Sequence, residues 1–395
     1  MPSSKYLNNL TPMRGIAALL TVLFHVEIFL GFDVLVKVEK SLVVLHLPLM
    51  VDFFFILSGF IMFHVYGKLF AESVTLSSFK KFAVARFARV YPLHLLMLCY
   101  CILLFFVAAR AGVAKDDGIE INNSVFSAIT NLLLLQAMNI HNWFSFNHAA
   151  WSISTEWWAY MLFPFLVMPV LKMNTAKKIA VALACMGGYL AITYYLVGKV
   201  TVPPEIPFVK IDPAWHTINV AYQFGYVRCL SGFIWGMMLY QAYTQQWGKK
   251  IFGNGYMLLL LTAVAFTSMH FALPDFISVS FFPFILLCGA YGSKGIDRLF
   301  SSKPLQRLGD WSFSIYMIHQ PLLFTIGKVI KYFQPVQDPS KKPGSLEGWI
   351  FFLVFLMVVL FISYLTYRFV EVPARRVINE KNTPPLQVAP SRVSE

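Results

Sequence analysis

The chain has 395 residues, of which 58% are hydrophobic and only 13% are charged, and its formal net charge is +13. A soluble core cannot enclose so large an apolar fraction, so the composition predicts that lipid is the main solvent. In a soluble protein the positive charge would suggest nucleic-acid binding. Here the Lys and Arg residues lie in short stretches between apolar runs, which indicates membrane topology, and we expect a lipid bilayer and no nucleic acid as partner.

The apolar runs predict an all-α, polytopic membrane helix bundle, because a span needs roughly 20 apolar residues. We predict about ten transmembrane helices. They lie near 10–32, 45–66, 88–110, 151–171, 179–198, 219–243, 254–271, 276–293, 310–333 and 348–370. The shorter run 125–140 holds Asn131 and Gln136 and is interpreted as an interfacial or re-entrant helix.

Loop charges predict the orientation of the bundle. With the N-terminus inside, about twice as many Lys and Arg residues face the cytoplasm as face the other side, so both termini are predicted to be cytoplasmic. Residues 1–376 form the predicted membrane domain, and the polar tail 377–395 is expected to be disordered. All five Cys lie inside apolar runs without metal-ligand spacing, so we interpret them as core residues and predict no metal site.

The first span contains the ionisable residues Arg14 and His25. Eleven residues on a helix are three turns plus about 20°, so both side chains project from one face, roughly 16 Å apart along the axis. Such residues are costly in lipid and indicate function by default. The alternatives are that Arg14 extends to the lipid headgroups and that His25 bonds a neighbouring helix.

A second cluster, Arg86 and Arg89, begins the third span and shares one helix face. Guanidinium groups bind phosphate through two parallel hydrogen bonds, so this pair suits a polyanionic ligand. Ordinary anchoring by cytoplasmic positive charge is the alternative.

The sequence WSISTEWW opens the fourth span and places Glu156 about 8 Å inside it. A carboxylate at that depth needs a partner, and we predict His25, because a carboxylate would fix the imidazole tautomer. The alternative is a structural Glu bonded to backbone or hydroxyl groups. Weaker candidates for substrate binding are Asp52, Ser58, His148, Trp151, Tyr316 and His319.

Six motifs occur in the order LTPMRGIAALLTVLFHV, FFFILSGF, RFARVYPLH, WSISTEWW, SFSIYMIHQPLL and VEVPARR, between about residues 6 and 376. Together they resemble the acyltransferase-3 family of membrane enzymes that O-acylate bacterial surface and exported sugars. The resemblance implies that His25 and Arg14 are essential, and that Arg86, Arg89 and Glu156 belong to the site. Many members carry two adjacent acids where this chain has Glu156 followed by Trp157, which weakens any scheme that needs both.

The resemblance further implies a bacterial inner-membrane enzyme with acyl-CoA, most often acetyl-CoA, as donor, a carbohydrate acceptor and no permanently bound cofactor. Arg14, Arg86 and Arg89 would hold the coenzyme A phosphates at the cytoplasmic side. His25 would act as general base, with Glu156 orienting it, or would take the acyl group covalently. The rival hypotheses are a transporter or flippase, against which no repeated halves are visible, and a structural scaffold, which leaves the buried charges unexplained.

Overall fold

The computed structural model describes residues 7–113, 115, 117–204, 216–335 and 342–380. Within these ranges the regular structure is entirely helical. The main helices are α1 (Leu10–Phe29), α2 (Met50–Tyr66), α3 (Leu76–Arg110), α4 (Val125–Leu132), α5 (Ala150–Lys172), α6 (Thr175–Ala191), α7 (Gly225–Thr244), α8 (Gly255–His270), α9 (Asp275–Tyr291), α10 (Lys303–Asp310), α11 (Ser312–Phe333), α12 (Ser345–Thr366) and α13 (Val372–Glu380). Of the predicted disordered tail, 377–380 end α13 and 381–395 lie outside the described residues.

Six helical segments in the described ranges are long and apolar enough to cross a membrane. They are Leu10–Phe29, Val43–Phe70, Leu76–Arg110, Thr175–Lys199, Ser312–Phe333 and Ser345–Asn379. A seventh follows if α9 and the short helix after it, which bends away by 89°, count as one span. The all-helical membrane bundle is confirmed, but the predicted count of about ten spans is not, and the orientation of the termini stays a prediction.

Helices also occupy the remaining predicted spans, and composition or length explains why they are not among these segments. Helices α5 and α7 have 23 and 20 residues, enough to span, but they carry ionisable and hydroxyl side chains that the bundle interior accommodates. Helix α8 has only 16 residues. The run predicted as interfacial or re-entrant forms the eight-residue α4 followed by turns. Its Asn131 and Gln136 are both buried, and Gln136 bonds the Ala150 carbonyl at the start of α5.

Four of the five cysteines are buried, as predicted, whereas Cys99 is exposed on the surface of the bundle.

A proline in α11 connects this helix to the loop before α5. Pro321 in α11 lacks an N–H, which leaves the carbonyl of Met317 without its helical partner. Asn147 donates to that carbonyl from the loop before α5 at 2.8 Å. The polar segment before α5 is thereby fastened to α11.

Glycines allow α2 and α7 to approach closely. A Cβ atom at Gly59 would collide with the backbone carbonyl of Phe233, and one at Gly236 with the backbone carbonyl of Ile56. We therefore expect Gly236→Ala to lower the stability by about 1–3 kcal/mol, since neither backbone can yield. The measurement is thermal unfolding in detergent. Gly187→Ala is the matched control, because nothing lies within 4 Å of a Cβ there, and equal unfolding temperatures for both variants would contradict the prediction.

Candidate active site

Two histidines meet in the interior of the bundle, His25 from α1 and His319 from α11. Their ring centroids are 4.7 Å apart, and His319 Nε2 lies 3.2 Å from His25 Nδ1. His319 is fully buried, whereas His25 is half-buried. Each Nδ1 also contacts the carbonyl one turn earlier on its own helix, Thr21 at 2.9 Å and Ile315 at 3.1 Å.

These contacts assign the tautomers. A backbone carbonyl only accepts, so the proton of each neutral ring is on Nδ1. His319 Nε2 then presents a lone pair to the Nδ1–H of His25. His25 Nε2 carries the other lone pair, and it makes no hydrogen bond within the described part of the chain. That atom is available as a base or nucleophile, and His319 supports the positive charge that forms when it takes a proton.

Glu156 has a different partner from the one we predicted. Tyr160, one turn further along α5, donates to Glu156 Oε1 at 2.6 Å, and the Ser58 hydroxyl lies 3.0 Å from the Tyr160 hydroxyl. The expected pairing of Glu156 with His25 is therefore corrected to one with Tyr160. The physical reason is local, because residues four apart on a helix are neighbours and Tyr160 reaches the carboxylate first.

The predicted arginines line one polar cavity of about 400 Å³, which we call the arginine cavity. Its lining consists of Arg14, Tyr66, Ala85, Arg86, Arg89, Asp310, Tyr367, Arg375 and Asn379. The cavity brings together α1, the N-terminal half of α3 and the helix α13. It joins residues that are far apart in sequence at one end of the bundle.

Arg14 and Arg86 are held in this cavity in different ways. Arg14 donates to the Gly309 carbonyl at 2.8 Å and to the Ser312 hydroxyl at 2.8 Å, which ties α1 to the junction of α10 and α11. Arg86 donates to the Tyr66 hydroxyl at 2.9 Å, and its guanidinium lies 5.8 Å from the Tyr160 ring. The Nε of Arg86 is buried without a hydrogen-bond partner in the described structure. An unsatisfied buried donor of this kind favours an acceptor supplied by a ligand.

Glu371 is a residue that the sequence reasoning did not single out. It is only 2% exposed, and it accepts from Arg89 at 2.8 Å, from Arg375 at 3.1 Å and from the Ser314 hydroxyl at 2.5 Å. Its position in the VEVPARR motif, at the end of the last apolar run, was the available signal. Of the two arginines that Glu371 binds, only Arg375 is near it in sequence, and Arg89 lies 282 positions away.

The structure links one of the weaker candidates, Tyr316, to the histidine pair. Tyr316 lies one turn before His319 on α11, with ring centroids 5.8 Å apart. Its hydroxyl lies 2.7 Å from the hydroxyl of Ser152 on α5. Trp151, the neighbour of Ser152, places its ring 5.5 Å from the guanidinium of Arg228.

Asp52 and His148 are engaged by other protein groups. Asp52 is fully buried, and both of its carboxylate oxygens accept from Arg228, the closest contact being 2.6 Å. His148 stacks on Phe144 and lies with Nε2 3.1 Å from the Ile119 carbonyl. Arg228 lies inside a predicted span, and this was a signal that the sequence reasoning missed.

Comparison with known proteins agrees with these motifs. The acyltransferase-3 family model, described as an acyltransferase domain, matches residues 7–368. Peptidoglycan O-acetyltransferase OatA of Listeria monocytogenes is 20% identical over 398 residues, covering 95% of this chain and 56% of its own length. Acyltransferase MdmB of Streptomyces mycarofaciens is 25% identical over 417 residues, covering 98% of this chain and 96% of its own length. "Protein 2 in picA locus" of Rhizobium radiobacter is 34% identical over 154 residues, covering 36% of this chain and 73% of its own length.

The chain thus spans little more than half the length of the Listeria relative and nearly all of the Streptomyces one. No solved structure matches it. The family match covers the histidine of α1, the arginines of α3 and Glu156. Together with the apolar helices, it shows that the chain belongs to the acyltransferase-3 family and is a multi-pass membrane O-acyltransferase.

Proposed function

We propose that the protein transfers an acyl group, most commonly acetyl, from cytoplasmic acyl-CoA to a hydroxyl of a cell-surface or exported glycan, at the bacterial inner membrane. The observation that carries this proposal is the joint placement of a base and an anion site on α1. His25 Nε2 is unprotonated and available, and Arg14 lies on the same helix face roughly 16 Å away. A donor with a phosphate head and a long thioester arm matches this separation.

The arginine cavity supports an anionic donor. Its guanidinium groups outnumber its acidic side chains, and the buried Nε of Arg86 has an unused N–H. Arginine is suited to phosphate because its planar fork donates two parallel hydrogen bonds. Glu156 belongs to this side of the proposed site, since it fixes Tyr160, whose ring lies beside the Arg86 guanidinium.

The proposed chemical step needs one base. The acceptor hydroxyl gives its proton to His25 Nε2 as its oxygen attacks the thioester carbonyl carbon. The tetrahedral intermediate then collapses, the carbon–sulfur bond breaks, and the departing thiolate takes the proton back from the imidazolium. While His25 is charged, its Nδ1–H donates to the Thr21 carbonyl and to the lone pair of His319.

A covalent route uses the same atoms. His25 Nε2 attacks the thioester carbonyl carbon, the carbon–sulfur bond breaks, and coenzyme A leaves as the thiolate. The acceptor oxygen then attacks the acyl-imidazolium, the carbon–Nε2 bond breaks, and the hydroxyl proton neutralises the thiolate. Both routes need Nε2 unprotonated at the start, which is the tautomer that the Thr21 carbonyl selects.

A glycan acceptor is supported by the relatives. The Listeria relative is a peptidoglycan O-acetyltransferase, and it aligns with 95% of this chain. On the structural side, the hydroxyls of Tyr316 and Ser152 lie near the histidine pair and can bond a polar acceptor. A transporter would share the buried charges, but it would not consume the donor.

The test is thiol release from acetyl-CoA by the protein in nanodiscs, with peptidoglycan fragments and exopolysaccharides offered as acceptors. We expect release of free coenzyme A that depends on acceptor, together with acetyl ester on the glycan. Binding of acetyl-CoA without any release, across acceptors and acyl donors, would refute the proposal and favour transport.

His319 is expected to act through His25. We predict that His319→Ala lowers kcat by about 10- to 100-fold, the usual cost of losing a group that orients a functional imidazole. His319→Gln offers a side-chain carbonyl as a replacement acceptor and is expected to keep part of the rate. The measurement is the pH profile of kcat, since loss of the supporting lone pair makes protonation of His25 less favourable. An Ala variant with an unchanged rate and pH profile would contradict this role.

A further inference from the structure

The C-terminal helix α13 contributes to the arginine cavity at the opposite end of the sequence from Arg14. Arg375 and Asn379 of this helix line the cavity beside Arg86 and Arg89. Helix α13 packs against α3, which carries the latter pair. Residues of α1 and α3 line one part of the cavity, and α13 completes this lining.

Glu371 determines where two of these guanidinium groups lie. Its Oε2 accepts from both Arg89 and Arg375, and its Oε1 accepts from Ser314, which is bonded in turn by Thr366 at 3.0 Å. Arg375 Nε also donates to the backbone carbonyl of Glu371 at 3.2 Å. The carboxylate is thus fixed from α3, α11 and α13, and it holds the two arginines side by side.

Arg89 and Arg375 both have N–H groups that their contacts with Glu371 do not use. A guanidinium has five N–H bonds. Arg89 uses its Nη1 on Glu371, and Arg375 uses Nε and Nη2, so Arg375 Nη1 and the Nε and Nη2 of Arg89 make no hydrogen bond within the described part of the chain. Because both side chains line a polar cavity, their unused N–H groups can donate to a ligand there.

We propose that Arg375 is a phosphate-binding residue of the donor site and that Glu371 positions it together with Arg89. This inference rests on the proposed function and deepens it. Four guanidinium groups, from Arg14, Arg86, Arg89 and Arg375, are among the described residues that line the cavity. A single phosphate cannot engage four forks at once, so the ligand class is a nucleotide-linked thioester with phosphates at more than one position.

The competing explanation is structural, with Glu371 and Arg375 only fastening α13 to the bundle. The two explanations differ in what they predict for a donor without phosphates. A phosphate ligand matters for acetyl-CoA and not for S-acetylpantetheine, which has the same thioester arm but no phosphate. A helix fastener affects both donors equally.

The experiment compares these donors in Arg375→Gln, Arg375→Lys and Glu371→Gln, with Arg376→Gln as the matched control outside the cavity lining. We expect Arg375→Gln to raise KM for acetyl-CoA about 10- to 100-fold, the value of one charge-assisted hydrogen bond. Its kcat, and its KM for S-acetylpantetheine, should stay unchanged. Arg375→Lys should recover part of the loss, and Glu371→Gln should raise KM for acetyl-CoA while sparing S-acetylpantetheine. Equal losses with both donors, or no loss at all, would overturn the proposal.

Equilibrium binding of coenzyme A to the protein in nanodiscs separates this inference from the proposed reaction. If Arg375→Gln binds coenzyme A more weakly than Arg376→Gln does, the phosphate site is supported. If the wild-type protein at the same time releases no thiol with any acceptor or acyl donor, the proposed acyl transfer is refuted. Equal binding by wild type and Arg375→Gln, or no binding by wild type, would overturn the phosphate site whatever the turnover shows.

Discussion

Replacing His25 with Ala is expected to lower acyl transfer by at least about 10²- to 10⁴-fold, the usual contribution of a general base, while the protein still inserts and folds. The reason is that His25 Nε2 is the lone pair that the tautomer assignment leaves available beside His319. The measurement is acceptor-dependent thiol release from acetyl-CoA in nanodiscs, with the amount of folded protein matched by thermal unfolding.

The chain offers a matched control for this variant. His64 on α2 is also half-buried, and its ring bonds the Tyr240 hydroxyl at 3.3 Å and no residue of the proposed site. We expect His64→Ala to retain nearly full activity. If His25→Ala were as active as His64→Ala, the proposed role of His25 would be wrong.

The same variant pair helps to separate the two chemical routes. Incubation with acetyl-labelled acetyl-CoA, rapid denaturation at neutral pH and detection of label on the protein tests for an acyl-imidazole. The covalent route predicts label on wild type and His64→Ala and none on His25→Ala. Unlabelled wild type that nevertheless turns over would favour the general-base route.

Breaking the ion pair between Asp52 and Arg228 is expected to lower the stability more than Gly236→Ala does. Both side chains are fully buried, and Arg228 also donates to the carbonyls of Pro48 and Val220 at 3.2 Å each. Removing one partner leaves an uncompensated buried charge, so Asp52→Ala should cost about 3–5 kcal/mol. Thermal unfolding in detergent measures this, and it should precede any attempt to assay the variant for activity.

The control for this prediction removes both charges at once. In Asp52→Leu combined with Arg228→Met, no buried charge remains, and well-packed apolar pairs often match a buried ion pair in stability. We expect the double variant to be more stable than Asp52→Ala. A double variant that unfolds no later than the single one would show that the loss comes from packing or from the carbonyls that Arg228 leaves behind.

Local features of the site were predictable because they depend on one helix at a time. Arg14 and His25 share a face of α1 since eleven residues make nearly whole turns, and Arg86 and Arg89 share a face of α3 since they are three apart. The structure places Arg14, Arg86 and Arg89 around one cavity, as the phosphate hypothesis requires. Glu156 was misassigned although its partner is local, since Tyr160 lies one turn further along the same helix and the prediction looked for a partner on another helix.

The sequence by itself determined that this is an all-helical membrane protein, roughly where its helices lie, and that Arg14, His25 and Glu156 lie within them. These properties follow from composition and from the regular rise and turn of a helix, which act over a few residues. Only the tertiary structure decided the partners: His319 for His25, Arg228 for Asp52, and Glu371 for Arg89. Each partner lies more than 170 positions away in the sequence. A hydrogen bond requires its two heavy atoms to lie about 3 Å apart. Helix packing brings these atoms together, and the order of residues in the chain does not show which ones will meet.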